Sequence, residues 1–447
     1  MSNSERLVDG SEIQNALNEI LRDPECKFWD IHTHLFPPQA KALVRFGIDE
    51  LLNYHYSYRQ FLGFRRDTTP DQFWKMPIEK RSDLVWETYF AKPKSTAVHP
   101  MPVSEGLRAI STILSGLGLD PNAPNLDEAR SFFAQVDVCD YHNQILESSA
   151  VSRVIGTNNP FDETELDFYR SKTQWHPNFS AALRLDDLVL HPESAFQYIR
   201  DHFDLPLADG LCDSTVSLLR KFCVEWIQGD YLPEVYYVGI SFPPDFQWLD
   251  SSDARLQVLE KVVIPACVET GKSLFLMPEP VRGLEPVMKN AGDYVGKMNS
   301  VDFGRFCQRH PEVDLWVSPL NFSSQFEVSV LSCVLPHVKP WSTWWYCHQP
   351  SLTHNISDLR LEMHGENSWL FNSDARVLEH LYSKWVHFKQ EFEVIAARQL
   401  SRVAESGYHL DKESVSNWVK TLFDPRKINR ESWESALKNS FCPPSSV

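Results

Sequence analysis

The 447-residue sequence is short of glycine, with 17, and it carries no glycine-rich loop, internal repeat or low-complexity segment. Those absences count against a phosphate-cradling nucleotide loop and against a repeat array. No basic block occurs. The 43 Lys and Arg against 60 Asp and Glu give a formal charge of −17, the opposite of a nucleic-acid footprint. No uncharged apolar run approaches the roughly 18 residues that span a bilayer, so a membrane partner is not expected. The opening, Met1 to Arg6, lacks the basic, apolar and small-residue regions of a secretory signal. The nine cysteines are scattered and never at CxxC spacing, which predicts reduced thiols in a cytoplasmic protein rather than a disulfide frame or a cysteine-ligated zinc.

What is present can build a large core: 43% hydrophobic residues, with 27 Phe, 14 Tyr and 14 Trp. Short apolar runs predict strands near 28–34, 152–157, 179–184, 236–241, 273–278, 314–320, 337–345 and 368–374. Helical patterns such as 254–270 and 301–309 separate most of them, and 377–400 and 414–422 follow the last. Eight strands alternating with helices predict an α/β fold, a (β/α)8 TIM barrel. The first gap, more than 100 residues, is too long for a loop. It reads as amphipathic helices at 47–64, 78–89, 104–117 and 126–147. The expected organisation is a barrel of residues 1–36 and 150–447 with a helical insertion, 37–149, over its mouth.

Barrel chemistry sits at the C-terminal ends of strands, so the residues there are the candidates. In Asp30-Ile31-His32-Thr33-His34 the strand period of two puts Asp30, His32 and His34 on one face. Two such imidazoles can chelate one divalent metal; a hydrogen-bonded core pair is the alternative. A closed barrel pairs its last strand with its first, which brings Asp374 beside them as a third ligand or a proton acceptor, or else as a helix N-cap. Arg184 and Arg376, at the ends of strands three and eight, can fork onto a carboxylate, although Arg184 can also pair with Asp186 or Asp187. Trp344 and Trp345 can stack on a sugar ring or fill core. His55 and Tyr56 fall in an aromatic stripe that, taken alone, reads as packing. Thr157-Asn158-Asn159-Pro160 and Ser318-Pro319-Leu320-Asn321 are polar strand ends.

In order along the chain, DIHTHL (30–35), NYHYSYR (53–59), VIGTNNPFD (154–162), ALRLDD (182–187), SPLN (318–321), STWWY (342–346) and FNSDAR (371–376) resemble the motif series of the uronate isomerases. These belong to the amidohydrolase superfamily, whose fold is a barrel of the metal-dependent hydrolase type. The resemblance implies interconversion of D-glucuronate with D-fructuronate, and of D-galacturonate with D-tagaturonate, by proton transfer between C2 and C1. It implies a divalent metal, expected to be zinc, on His32, His34 and Asp374. Asp374, Tyr56 and His55 would act in catalysis, and Arg184, Arg376, Trp344 and Trp345 would hold a small sugar acid. Two departures stand out: Met277 occupies the position of the family's strand-five histidine, and Ser241-Phe242-Pro243-Pro244-Asp245 replaces its S-D-H-G. A one-metal hydrolase and a sugar-acid-binding homologue therefore stay open as alternatives, as does assembly into a homo-oligomer.

Overall fold

The computed structural model describes residue 7, residues 9–91, residue 98 and residues 100–441. The tail from Cys442, whose Pro-Pro-Ser-Ser sequence reads as a frayed end, lies outside them. Seven parallel strands form one curled sheet in the order β1 (Phe28–Thr33), β2 (Val151–Asn158), β3 (Phe179–Arg184), β4 (Val235–Phe242), β5 (Ser273–Pro278), β8 (Leu315–Val317) and β9 (Val338–Pro340). Between β5 and β8 a small antiparallel pair, β6 (Pro280–Val281) and β7 (Tyr294–Val295), stands apart. The long strands are apolar on both faces, as parallel strands covered by helices must be. Inside the curl, Tyr237 stacks on Phe275 at 3.9 Å, and Phe275 contacts Trp316 and Trp341 at 5.6 and 4.8 Å. This aromatic column is the floor beneath the strand ends. Among the described residues, no helix is long and apolar enough to cross a membrane.

Several predicted elements take a different form. The expected eighth strand, 368–374, is not a regular strand; its one ladder contact is a parallel bridge from Trp341 to Trp369. Side chains take the places of ladder partners. The Asp30 carboxylate accepts the Ser373 N–H, and the Arg360 guanidinium donates to the carbonyls of Ser342 and Trp369. Backbone bonds remain at four points: Trp369 N to Pro340 O at 3.2 Å, Ser342 N to Trp369 O, Asp374 N to His32 O at 3.0 Å, and His34 N to Ala375 O at 2.7 Å. The strand expected at 314–320 stops at Val317, because the amides of Leu320 and Asn321 turn to the buried Glu279 carboxylate. The strand expected at 337–345 stops at Pro340, and Ser342 just beyond it adopts a left-handed φ of 41°.

Helices expected to be continuous are broken by specific hydrogen bonds. The stretch 47–64 divides into Ile48–Leu52 and His55–Phe64, with the Asn53 amide donating to the carbonyls of Asp49 and Ile78 and to Ser82. The stretch 126–147 divides into Asp127–Gln135 and Val138–Ser149, where the Asp137 side chain caps the second helix through the amides of Cys139 and Asp140. Between Ala254 and Thr270 a π turn covers Leu259–Val263. Pro265 follows it, and a proline without an N–H leaves a gap in the α-helical ladder that wider turns accommodate.

Glu379, at the start of the long helix Leu378–Glu405, gives a pH-dependent contribution to stability. Its Oε1 accepts from Gly47 N at 2.9 Å and Tyr141 Oη at 3.0 Å, while Oε2 is buried without a partner. Burial pushes the carboxyl up from 4.5 to about 7. The folded state therefore keeps a proton that the unfolded chain releases, a contribution present below the unfolded value and lost as pH rises through about 7. The gap is worth on the order of 3 kcal/mol above neutrality. Glu379→Gln is expected to raise the thermal midpoint far more at about pH 8.5 than at about pH 5. Equal shifts at the two pH values would show that the burial of this carboxyl carries no such cost.

Candidate active site

The site grows from an irregularity in β1. Asp30 pairs with Val154 and Thr33 with Gly156, so β1 spends one more residue than β2 over this stretch. Such a bulge breaks strict alternation and re-aims side chains. Asp30 consequently does not share the open face expected for it: it is fully buried and holds Ser373 N, with Trp385 Nε1 donating to it at 2.8 Å. His32 and His34 instead face one cavity, their rings 5.7 Å apart. The neighbouring strand has to approach closely here. A Cβ on Gly156 would lie 3.0 Å from the Leu35 carbonyl and press the His34 segment out of place.

Asp374 completes the group. Its Oδ1 lies 3.2 Å from His34 Nε2 and 3.9 Å from His32 Nε2. It is not the N-cap of the following helix, a position Val377 occupies. Donor atoms of the three residues all fall within 4.8 Å of one another. The far nitrogens are already engaged, His32 Nδ1 with Tyr237 Oη at 2.9 Å and His34 Nδ1 with Thr157 Oγ1 at 3.1 Å. That arrangement fixes both rings and turns each Nε2 into the cavity, the pattern of metal-binding histidines, although Arg376 also meets His34 Nε2. Burial pulls both imidazoles down to about 3, with the Arg376 charge adding to the effect on His34. Burial opposes the charge on Asp374, but its hydrogen bond and proximity to His34, then Lys384 and His32, keep the carboxyl well below its ordinary value. Near neutral pH the trio is two neutral imidazoles and a carboxylate, which suits one divalent cation with an open fourth position.

The cavity over this group, of about 1090 Å³ and open to solvent, brings together most of the candidates: His55, Arg184, Trp344, Trp345 and Arg376 all line it. Arg376 Nη2 is 3.3 Å from His34 Nε2. Arg184 does form the alternative salt bridge, donating to both Asp186 oxygens at 2.7 and 3.0 Å, and it also reaches Ser241 at 2.8 Å. Tyr56 is not among the lining residues. It faces an adjoining chamber with Lys384 and His348, its hydroxyl buried without a partner. Ser318-Pro319-Leu320-Asn321 serves structure: Ser318 O accepts from Trp344 Nε1, and the Leu320 and Asn321 amides bind Glu279.

No family model and no curated protein matches the sequence. Solved structures do match. The uronate isomerase of Bacillus halodurans C-125 superposes with a TM-score of 0.88 and 26% identity, over 97% of this chain and 100% of that one. The chain is thus similar over nearly its whole length to a uronate isomerase. The uronate isomerase of Thermotoga maritima (TM-score 0.70, 11% identity, 95% of this chain and 99% of that one) shares the fold. So does the glucuronate isomerase of Caulobacter crescentus (0.69, 14%, 97% of each chain).

Met277 is fully buried among the aromatic floor and does not line the cavity. Met277→Leu conserves volume, so it is expected to cost less than about 1.5 kcal/mol and to leave turnover within about twofold of the parent. A tenfold loss with an unchanged thermal midpoint would put the thioether in the chemistry. Four lining residues were not anticipated: Glu165, Arg282, Asn290 and Asp293. Glu165, pushed up to about 7 by burial, accepts from Tyr169 Oη and Asn159 N. Arg282 and Asp293 flank the β6–β7 pair and bind each other at 2.6 Å. The only sequence signal for Arg282 was its place in the loop after β5, at the chemical end of the sheet.

Proposed function

We propose that the chain is a metal-dependent aldose–ketose isomerase of sugar acids, converting D-glucuronate to D-fructuronate and D-galacturonate to D-tagaturonate. The observation that carries this reading is the convergence of His32, His34 and the ionised Asp374 beside Arg376 and Arg184, in a chain matching a uronate isomerase end to end. The donor set fits a single divalent ion, zinc in our reading. Bound there, such an ion supplies a Lewis acid that polarises substrate oxygens.

The chain's own groups account for the rest. The uronate carboxylate goes to Arg376, with Arg184 behind it, and Trp344 and Trp345 wall the sugar ring. Asp374 takes the proton from C2 while the C1 carbonyl oxygen gains one, giving an enediol. Return of a proton to C1 and loss of the O2 proton leave the carbonyl at C2. Asp374 is favoured over Tyr56 for this transfer because Tyr56 opens on the other chamber, and burial holds its hydroxyl well above its ordinary value. His55, kept neutral by burial, borders the cavity as a hydrogen-bonding group. Segment 369–375 acts as an eighth stave between β9 and β1, a reading supported by its four backbone bonds. Residues 37–149 form the roof over the barrel, supported by the position of His55.

The test is incubation of the zinc-loaded chain with D-glucuronate and D-galacturonate, followed by carbon NMR for the C2 ketone of the product. Ketose formation that a chelator stops is expected. Cleavage of a lactone or amide without any ketose would assign the hydrolase reading instead, and binding without turnover would make the chain a sugar-acid-binding homologue.

A further inference from the structure

Asp374 stands on a strained backbone. Its φ of 47° is left-handed, a conformation disfavoured for any residue with a Cβ. One edge of the peptide unit before it is tied to β1, because Asp374 N donates to His32 O at 3.0 Å. The opposite edge of that same unit is the Ser373 carbonyl. Lys384, from helix Leu378–Glu405, donates to it at 2.5 Å and makes longer contacts with Asp374 O at 3.4 Å and His348 Nδ1 at 3.5 Å. An ammonium has three donors, and these are three acceptors for them. Ser373 is fully buried and Asp374 nearly so, so a partner lost at either carbonyl is not replaced freely by solvent.

We infer that Lys384 is a positioning residue for the metal centre: it clamps the Ser373–Asp374 peptide against β1 and thereby keeps the Asp374 carboxylate between His32 and His34. The inference rests on the metal site read above. The N–H and C=O of one peptide turn together, so a Ser373 carbonyl freed to seek another donor also withdraws the Asp374 N–H from His32 O. The left-handed conformation then relaxes and the carboxylate leaves the two imidazoles. A residue that only filled space would do none of this. The geometry also supplies a way to separate the two roles, since Lys384 borders a small pocket lined by Tyr56, His348, His380 and Phe371. Shortening the side chain leaves room there for a small amine.

The experiment titrates zinc against a chromophoric chelator in the full-length parent, Lys384→Ala and Lys384→Met, with circular dichroism as the check on folding. Both variants are expected to bind zinc about 10–100-fold more weakly while folded. Ethylammonium chloride should restore affinity in Lys384→Ala and not in Lys384→Met, whose stem still fills the space. Tetramethylammonium at the same ionic strength, a cation without N–H donors, should restore neither. Parent-like affinity in either folded variant would overturn the inference, as would equal recovery in the two salts or no recovery in ethylammonium. Should Lys384→Ala fail to fold, the affinity of Lys384→Met decides alone. Because the readout is zinc affinity, a parent that binds zinc and does not isomerise uronates defeats the proposed reaction and leaves this inference standing.

Discussion

Asp374→Asn is expected to lower kcat/KM for uronate isomerisation by about 10³-fold or more, the scale of a lost general base. The substitution isolates the charge. Asparagine visits the left-handed region more readily than most residues, so the φ of 47° is kept without added strain. The amide also retains an oxygen to set against the two imidazoles. What it lacks is the negative charge that sits within 3.2 Å of His34 Nε2 and 3.9 Å of His32 Nε2. Two neutral imidazoles alone hold a divalent ion weakly, so zinc content should fall along with turnover. Steady-state formation of ketouronate, paired with elemental analysis of the purified variant, provides the check. Activity within tenfold of the parent, with zinc still bound, would remove Asp374 from both roles.

Much of this site can be read in the sequence because it depends on short-range geometry. His32 near the end of β1 and His34 just past it are two residues apart, a spacing that keeps both at the same cavity despite the bulge between Asp30 and Thr33. Arg184, the last residue of β3, and Arg376, just past the irregular segment that follows β9, both line the cavity. Asp30 is the counter-example. Period-two counting puts it with the histidines, and one additional residue in β1 sends it instead under the site to anchor Ser373. Nothing in the local pattern announces that residue, since the bulge arises from pairing with β2, more than 100 positions away. Tyr56 misleads for a related reason. It follows His55 directly, and consecutive positions on a helix diverge by about 100°, so one ring reaches the cavity and the other its neighbour.

The residues that sequence reasoning could not supply are those placed by tertiary contact alone. Arg282 and Asp293 are brought together by a two-residue antiparallel pair too short to show any alternation. Lys384 sits in a helix whose pattern marks it only as a polar position. Its contact with the carbonyls of Ser373 and Asp374 exists because the segment after Trp369 lacks a regular ladder, and the same irregularity frees those carbonyls to face the helix. The site's strain and its support thus come from one irregular segment beside β1.

The net charge of −17 makes an anionic ligand look unwelcome, yet charges beyond a Debye length of about 8–10 Å are screened, and the local field decides. Three guanidiniums border the cavity and they are not equivalent. Arg184 is held by Asp186 and Arg282 by Asp293, each within 2.7 Å, so a carboxylate already offsets much of each charge. Among the described residues no carboxylate forms an ion pair with Arg376, whose guanidinium meets the neutral His34 at Nε2 and has Asp374 only across that nitrogen. Arg376 is therefore the cation left for a ligand carboxylate. Arg376→Lys keeps the charge and loses the planar fork, which is expected to weaken sugar-acid binding by about 10–100-fold, the worth of one or two charge-assisted hydrogen bonds. Binding of the matching neutral sugar should change by less than about threefold, and Arg184→Lys should have the smaller effect of the two because Asp186 competes for its donors. Calorimetric titration of both variants with glucuronate and with glucose measures all four quantities. Equal losses for acid and neutral sugar in Arg376→Lys would mean that this guanidinium supports the cavity wall and does not read the carboxylate.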